Sequence, residues 1–159
     1  MEFHGNLDIK TLGGAGFASQ RTTGEGRHWD LSNYAGLELD ITKSDGKRYT
    51  FILKDSLLPK SPNGREQSTV SWEYDFQPKK TDKGEKIFVQ WSDLKPTYRG
   101  REKEDADPLD LKNIKRISLM MRRYAPLCPT PFCKLTFHTS MNNKGYTVPA
   151  LSHPSTLCF

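Results

Sequence analysis

Four consecutive residues, Tyr98-Arg99-Gly100-Arg101, carry the side chains in this chain that are best suited to binding. Because Gly100 has no Cβ, the backbone can turn tightly there and bring both guanidinium groups toward one point. Paired guanidinium groups bind carboxylate or phosphate, and the neighbouring tyrosine ring can stack on a planar or sugar-like group. The sequence therefore predicts a recognition site at these four residues, on a loop that spans 94–111.

The two arginines allow three interpretations. Acidic residues follow them closely, so the arginines of a purely structural loop would pair with carboxylates of their own segment. Those carboxylates belong to Glu102, Glu104, Asp105 and Asp107. The other two interpretations are a surface for a partner protein and a site for a small anionic or saccharide ligand. The residue types alone leave all three open.

Neither metal binding nor nucleophilic catalysis has a comparable signal. Cys128 and Cys133 form a C-x4-C pair, but no second pair follows at ligand spacing, which favours a buried thiol over a zinc ligand. No Gly-x-Ser-x-Gly motif is present, and the four histidines occur singly. We therefore expect no catalytic residues, no metal and no cofactor, and a binding role is favoured over an enzymatic one.

The composition is that of one mildly basic domain. The chain has 159 residues, a net charge of +5 and 11% aromatic residues. A chain of this length forms one domain, and the aromatic rings supply much of its core area. Lysine and arginine are interspersed with acids, and the aromatic residues fall on rows predicted to face inward. This pattern favours scattered solubilising charge over RNA binding.

Cysteine usage and the N-terminal segment bear on location. The three cysteines are an odd number, which favours a reducing compartment. The first ten residues contain neither an apolar signal-peptide region nor an arginine-rich, acid-poor transit segment. No window approaches 18 apolar residues, so no membrane span is expected. As written, the sequence indicates a cytoplasmic protein.

Short stretches of alternating apolar and polar residues recur along the chain, with glycine and proline between them. In the stretch 37–42, the apolar side chains should face inward and the polar ones outward. An Asp45-Gly46 turn should join this strand as a hairpin to a return strand whose Thr50 and Ile52 face outward. About eight such strands predict an all-β fold, an antiparallel β-sandwich or jelly roll, over 1–142. The segment 143–159 should form a partly disordered tail.

Five longer blocks of the sequence carry a more specific signal than any single motif. They are FHGNL at 3–7, GGAGFASQRT at 13–22, DLSNYAGLELDITKSDGKRYTFILKD at 30–55, PTYRGRE at 96–102 and DLKNIKRISLMMR at 110–122. In this order the blocks resemble the complex I intermediate-associated protein 30 family. The resemblance covers most of the chain, from Phe3 to about Phe137.

This resemblance implies a galactose-binding-domain-like jelly roll, in agreement with the strand pattern. It also implies a mitochondrial assembly role, because the family's named member is an assembly factor for respiratory complex I. Family domains usually begin with a further strand before the block at 3–7, so the resemblance implies an N-terminally short chain, whose open sheet edge would favour a homodimer. Two other departures are the first ten residues, which are not those expected of a mitochondrial presequence, and the CPTPF segment at 128–132, where the family has Gly-Pro-Phe.

Together these patterns predict a non-enzymatic β-sandwich module that engages a protein partner in an assembly or chaperone-like role. Arg99 and Arg101 would supply charged anchors and Tyr98 an apolar contact, with Arg21 and Trp72 as further candidates. Two alternatives stay open. One is a domain that binds a carbohydrate-like or other small molecule, and the other is a cofactor-independent biosynthetic enzyme that uses a pocket of the sandwich.

Overall fold

The structure, a computed structural model, describes residues 2–6, 16–24, 26–123 and 132–141, with side chains for Phe3 and for residues 16–24 and 26–122. Two short 3-10 helices in these ranges are η1 (Trp91–Asp93) and η2 (Leu111–Asn113). The strands are β1 (Glu2–Asn6), β2 (Gly16–Arg21), β3 (Gly36–Ser44), β4 (Tyr49–Lys54), β5 (Ser71–Phe76), β6 (Glu85–Gln90), β7 (Lys95–Tyr98), β8 (Arg101–Glu102), β9 (Arg116–Arg123) and β10 (Phe132–Met141). The predicted tail, 143–159, lies outside the described residues.

The strands of the described ranges form two antiparallel sheets. One has four strands in the order β1-β10-β3-β6, and the other has six in the order β2-β9-β4-β5-β7-β8. Side chains of both sheets share one core. At one contact between the sheets, the ring of Phe3 on β1 lies edge-on to Tyr49 on β4, with 6.1 Å between centroids. The prediction of an all-β antiparallel sandwich is confirmed.

Alternation along the strands decides which side chains fill the core. In β3, Leu37, Leu39 and Ile41 are buried, whereas the acidic residues between them are partly exposed. On the opposite sheet, Tyr49 and Leu53 of β4 have no exposed area. Each buried aliphatic side chain contributes about 1.5–3 kcal/mol to the free energy of unfolding. The predicted inward rows of these two strands are therefore confirmed.

The predicted hairpin of β3 and β4 is wrong. A turn does follow β3, with Gly46 at φ 76°, and the Asp45 carboxylate accepts a hydrogen bond from the Tyr49 hydroxyl at 2.8 Å. However, β3 pairs with β6 and β10, whereas β4 pairs with β5 and β9. The turn thus carries the chain from one sheet to the other. Turn chemistry specifies a reversal of the chain, but the choice of strand partners depends on which apolar faces meet.

The outer face of β4 also differs from the prediction. Thr50 and Ile52 were expected to face solvent, yet only 3% and 6% of their surfaces are exposed. Arg122 of β9 reaches across β4 to Glu73 of β5, and its Nη2 lies 2.8 and 2.9 Å from the two carboxylate oxygens. The Thr50 hydroxyl donates to Asp75 at 2.6 Å. These contacts cover the strand, which explains why its outward side chains are buried.

The edge of the six-stranded sheet at β7 and β8 carries inward-facing side chains that are less covered than those of β4. Trp72 of β5 and Pro96 of β7 are paired in register and half-buried, and Tyr98 is 39% exposed. The connections 55–70 and 103–115 lie beside this edge. Together they create the rim on which the candidate site is built.

Within the described residues, no helix is long and apolar enough to cross a membrane.

Candidate binding site at the sandwich rim

The segment predicted as a loop at 94–111 contains a β-hairpin. β7 and β8 pair antiparallel, with Tyr98 opposite Arg101, so that Arg99 and Gly100 form a two-residue turn. Both turn residues have positive φ, 53° and 76°. Positive φ at both central positions is the signature of a type I′ turn, whose twist matches that of the flanking strands. We call residues 98–101 the hairpin tip.

The two arginines of the hairpin tip are exposed and carry no salt bridge within the described part of the chain. The guanidinium carbon of Arg99 lies 5.3 Å from the centroid of the Tyr98 ring, which is a cation–π contact. Among the neighbouring acids, Asp105 pairs with Lys103 at 2.8 Å, and this hydrogen bond lowers the pKa of Asp105. Within the described residues, therefore, Arg99 and Arg101 do not pair with acids of their own segment, as they would in a purely structural loop.

An open cavity of about 630 Å³ lies beside this hairpin, and we call it the aromatic cavity. Trp72 and Tyr98 both line it, so the fold brings together two residues that the sequence analysis singled out. The guanidinium groups of Arg99 and Arg101 lie outside its wall. The full lining comprises Asp55, Ser56, Leu58, Ser68, Thr69, Val70, Trp72, Tyr98, Lys103, Asp107, Pro108, Asp110, Asn113 and Lys115.

Carboxylates outnumber cations in the aromatic cavity. Its charged residues are Asp55, Asp107, Asp110, Lys103 and Lys115. The Asp55 carboxylate accepts a hydrogen bond from the backbone N–H of Asp110 at 3.0 Å, and Asp110 in turn accepts one from the backbone N–H of Lys112 at 3.0 Å. These bonds fix two acceptor groups beside two aromatic rings. Such a cavity suits a neutral ligand that donates hydroxyl groups better than it suits an anion.

Arg21 lies away from the hairpin tip and is already paired. Its Nη1 is 2.6 Å from Glu66, and Arg116 donates to the same carboxylate at 2.7 and 3.2 Å. Partial burial alone would raise the pKa of Glu66, but the hydrogen bonds and charges of Arg116 and Arg21 lower it below the ordinary value of 4.5. Because Glu66 belongs to the connection 55–70, these bonds fasten that connection to β2 and β9.

A second cavity, of about 550 Å³, was missed by the sequence analysis. It adjoins the aromatic cavity and shares Leu58, Asn113 and Lys115 with it. We call it the basic cavity; its remaining lining residues are Gly24, Gly26, Arg27, His28, Leu57, Pro59, Lys60, Glu66, Gln67 and Arg116. Its residues come from three separate segments of the chain, so no contiguous sequence motif predicts the cavity. The stretch GEGRH at 24–28 is its nearest sequence signal, and short glycine-basic stretches are too common to be diagnostic.

Metal binding has no support within the part of the chain that the structure describes. There, no group of three or more histidine, cysteine or acidic residues is arranged to hold a metal ion. Of the two cysteines weighed as zinc ligands, Cys128 lies outside the described residues, and only the backbone of Cys133 is described.

Comparison with known proteins points to one family. The family model described as "Complex I intermediate-associated protein 30 (CIA30)" matches residues 1–133. The chain is also 46% identical over 123 residues to "Uncharacterized protein C9E9.15" of Schizosaccharomyces pombe. That match covers 77% of the chain but 56% of the yeast protein. The chain therefore spans little more than half the length of this curated relative.

Proposed function

Because the chain belongs to the complex I intermediate-associated protein 30 family, we propose that it is a non-enzymatic module that engages a protein partner. The family description supports an assembly step connected with complex I as the setting, and hence a mitochondrial location. The hairpin tip is the proposed contact surface. Subcellular fractionation checks the location. If the protein is recovered only outside mitochondria, this setting is excluded.

One observation supports the proposal above the others. Both arginines of the hairpin tip lack a carboxylate partner within the described residues, whereas Arg21 and Arg48 each pair with an acid. Arginine and tyrosine are enriched among residues that dominate binding energy at interfaces. A partner's carboxylates could each accept two parallel hydrogen bonds from Arg99 or Arg101, and an apolar side chain could cover Tyr98.

Affinity purification of the tagged chain from its own cells tests this proposal. The variant Arg99→Asn/Arg101→Gln removes both charges and keeps the turn, because asparagine tolerates positive φ and is favoured before glycine in this turn type. We expect recovery of the partner to fall at least about tenfold, since a hydrogen bond to a charged group contributes about 1.5–3 kcal/mol.

The matched control is Lys79→Gln/Lys80→Gln. It removes two exposed cations from the connection between β5 and β6, away from the hairpin tip. The control protein should recover the same partner as the unchanged chain. Equal recovery with the hairpin variant and with the control would exclude the hairpin tip as the contact surface.

The aromatic cavity favours binding of a carbohydrate-like ligand as a second function. Tyr98 and Trp72 offer rings for stacking, and the fixed Asp55 and Asp110 carboxylates offer acceptors for hydroxyl groups. A ligand that binds the native state raises the thermal midpoint with increasing concentration. We expect such a shift for a saccharide in the unchanged chain and a smaller one in Tyr98→Ala. Midpoints that stay constant across a saccharide panel would remove this second function.

A further inference from the structure

We propose that the basic cavity is a binding site for a small organic phosphate. The cavity is bordered by residues 24 and 26–28, by the connection 55–70 and by residues 113–116, which run from the end of η2 into β9. It lies apart from the arginines of the hairpin tip, and the inference does not depend on the protein partner proposed above.

The charge of the basic cavity is strongly one-sided. Arg27, Lys60, Lys115 and Arg116 line it together with the carboxylate of Glu66. That carboxylate is already bound by Arg116 at 2.7 Å. Within the described residues, the side chains of Arg27, Lys60 and Lys115 form no hydrogen bond or ion pair. As far as the described residues go, these three cations are uncompensated, and together around one concavity they create a local positive potential that concentrates anions.

Arg27 is positioned by the absence of a side chain at Gly24. Gly24 has φ 110°, and a Cβ at this residue would lie 2.9 Å from Nε and 3.2 Å from Cδ of Arg27. The arginine side chain therefore packs directly against the backbone of Gly24. This contact restricts the side chain before a ligand arrives, which reduces the conformational entropy lost on binding.

Charge and size together select the class of ligand. A phosphate monoester carries a charge of about −1.5 to −2 at neutral pH and three strong acceptor oxygens, whereas a single carboxylate offers one charge. Three cations around one concavity therefore suit the phosphate better. A cavity of about 550 Å³ is within the range of small-molecule sites and leaves room beyond the phosphate itself. Leu58, which is 51% exposed, and Asn113 are among the lining residues without charge.

Titration calorimetry on the purified full chain tests the inference with four probes: inorganic phosphate, glucose 6-phosphate, glucose and a phosphoserine peptide. We expect saturable binding of the phosphate-bearing probes that weakens as salt is raised, and no salt-dependent binding of glucose, which carries no charge. Tighter binding of glucose 6-phosphate than of the phosphoserine peptide would support a small organic phosphate as the ligand, and the reverse order would contradict it. Absence of binding by all three phosphates at low salt overturns the inference.

Variants connect the binding to the cavity. Arg27→Gln and Lys60→Gln each remove one exposed cation, and we expect affinity for the tighter organic phosphate to fall about tenfold in each. Lys79→Gln removes an exposed cation elsewhere and should leave affinity unchanged. Loss of affinity in Lys79→Gln equal to that in Arg27→Gln would show general charge attraction, and would contradict a defined site.

A glycine pair tests the positioning of Arg27 separately from its charge. Gly24→Ala should weaken phosphate binding, because the new Cβ would push the arginine side chain away. Gly84→Ala is the matched control, since Gly84 also has positive φ, 85°, and its nearest atom to an added Cβ is at 3.4 Å. Circular dichroism verifies that both variants fold. Equal phosphate affinity in the two proteins would contradict the part assigned to Gly24.

Discussion

At the turn of the β7–β8 hairpin, the backbone of Arg99 adopts a conformation that arginine rarely takes. Its φ is 53°, next to Gly100 at 76°. Glycine accepts positive φ without a steric penalty, but another L-residue there loses about 1–2 kcal/mol. The described contact of the arginine head is the cation–π contact with the Tyr98 ring, which offsets only part of that cost. Strained backbone conformations cluster at active and binding sites, which supports the hairpin tip as the proposed contact surface.

Two substitutions at this turn should change stability in opposite directions. Arg99→Asn should raise the free energy of unfolding by about 0.5 kcal/mol, because asparagine is favoured at this position of the turn. Gly100→Ala should lower it by about 1 kcal/mol or more, because alanine is strained at positive φ. Urea denaturation with the unchanged chain as reference measures both. A fall in the urea midpoint with Arg99→Asn would contradict the assigned turn.

At the scale of elements, the connection 55–70 is fastened to the six-stranded sheet through Glu66. Arg21 on β2 and Arg116 on β9 bind the two oxygens of this carboxylate. The same connection supplies walls to both cavities, including the shared Leu58. The ion pairs thus hold a cavity wall in place, and they keep the Arg21 side chain at Glu66, away from the hairpin tip.

The Glu66 interaction predicts a pH dependence. Because the pKa of Glu66 is lowered in the folded chain, its contribution to stability is present above the ordinary value of 4.5 and is lost as pH falls through the lower folded value. The unchanged chain should therefore be more stable than Glu66→Gln at pH 7, and the difference should shrink below pH 4.5. Thermal midpoints of both proteins across this range measure it. A difference that is constant with pH would contradict the assigned ion pairs.

Strand positions could be predicted from the sequence, but strand partners could not. Period-two alternation located β3 and β4, because each strand has one face in the core. The Asp45-Gly46 turn suggested a local hairpin, yet its two strands belong to different sheets. Pairing between strands far apart in sequence depends on the packing of whole faces, which local turn chemistry does not encode. β7 and β8 were missed because they are short and highly charged.

At the scale of the whole molecule, the core joins the two sheets, whereas the rim carries the candidate binding surfaces. The core lies between the sheets and joins residues of both, such as Leu39 and Tyr49. The rim carries the hairpin tip, and the two cavities adjoin one another through Leu58, Asn113 and Lys115. The family resemblance is confirmed by the match over residues 1–133. Neither cavity was foreseeable from the sequence, since each gathers residues from segments that come together only after folding.

A pair of leucine substitutions tests the assignment of residues to the core and to the rim. Leu39 is 2% exposed between the sheets, whereas Leu58 is 51% exposed on the rim. Leu39→Ala should lower the free energy of unfolding by about 2–5 kcal/mol, because it leaves a void among packed side chains. Leu58→Ala should change it by less than about 0.5 kcal/mol. Similar losses in the two variants, measured by urea denaturation, would contradict the assigned position of the core.

Site-specific photocrosslinking in cells tests the central claim, a protein contact at the hairpin tip, most directly. A photoreactive phenylalanine analogue at Glu102 lies next to Arg101 and leaves both arginines intact, and the same analogue at Lys79 serves as the control. We predict a discrete crosslinked partner from position 102 that disappears when Arg99→Asn/Arg101→Gln is added, and none from position 79. A crosslink at 102 that persists without the arginines, or an equal one from 79, would contradict the claim.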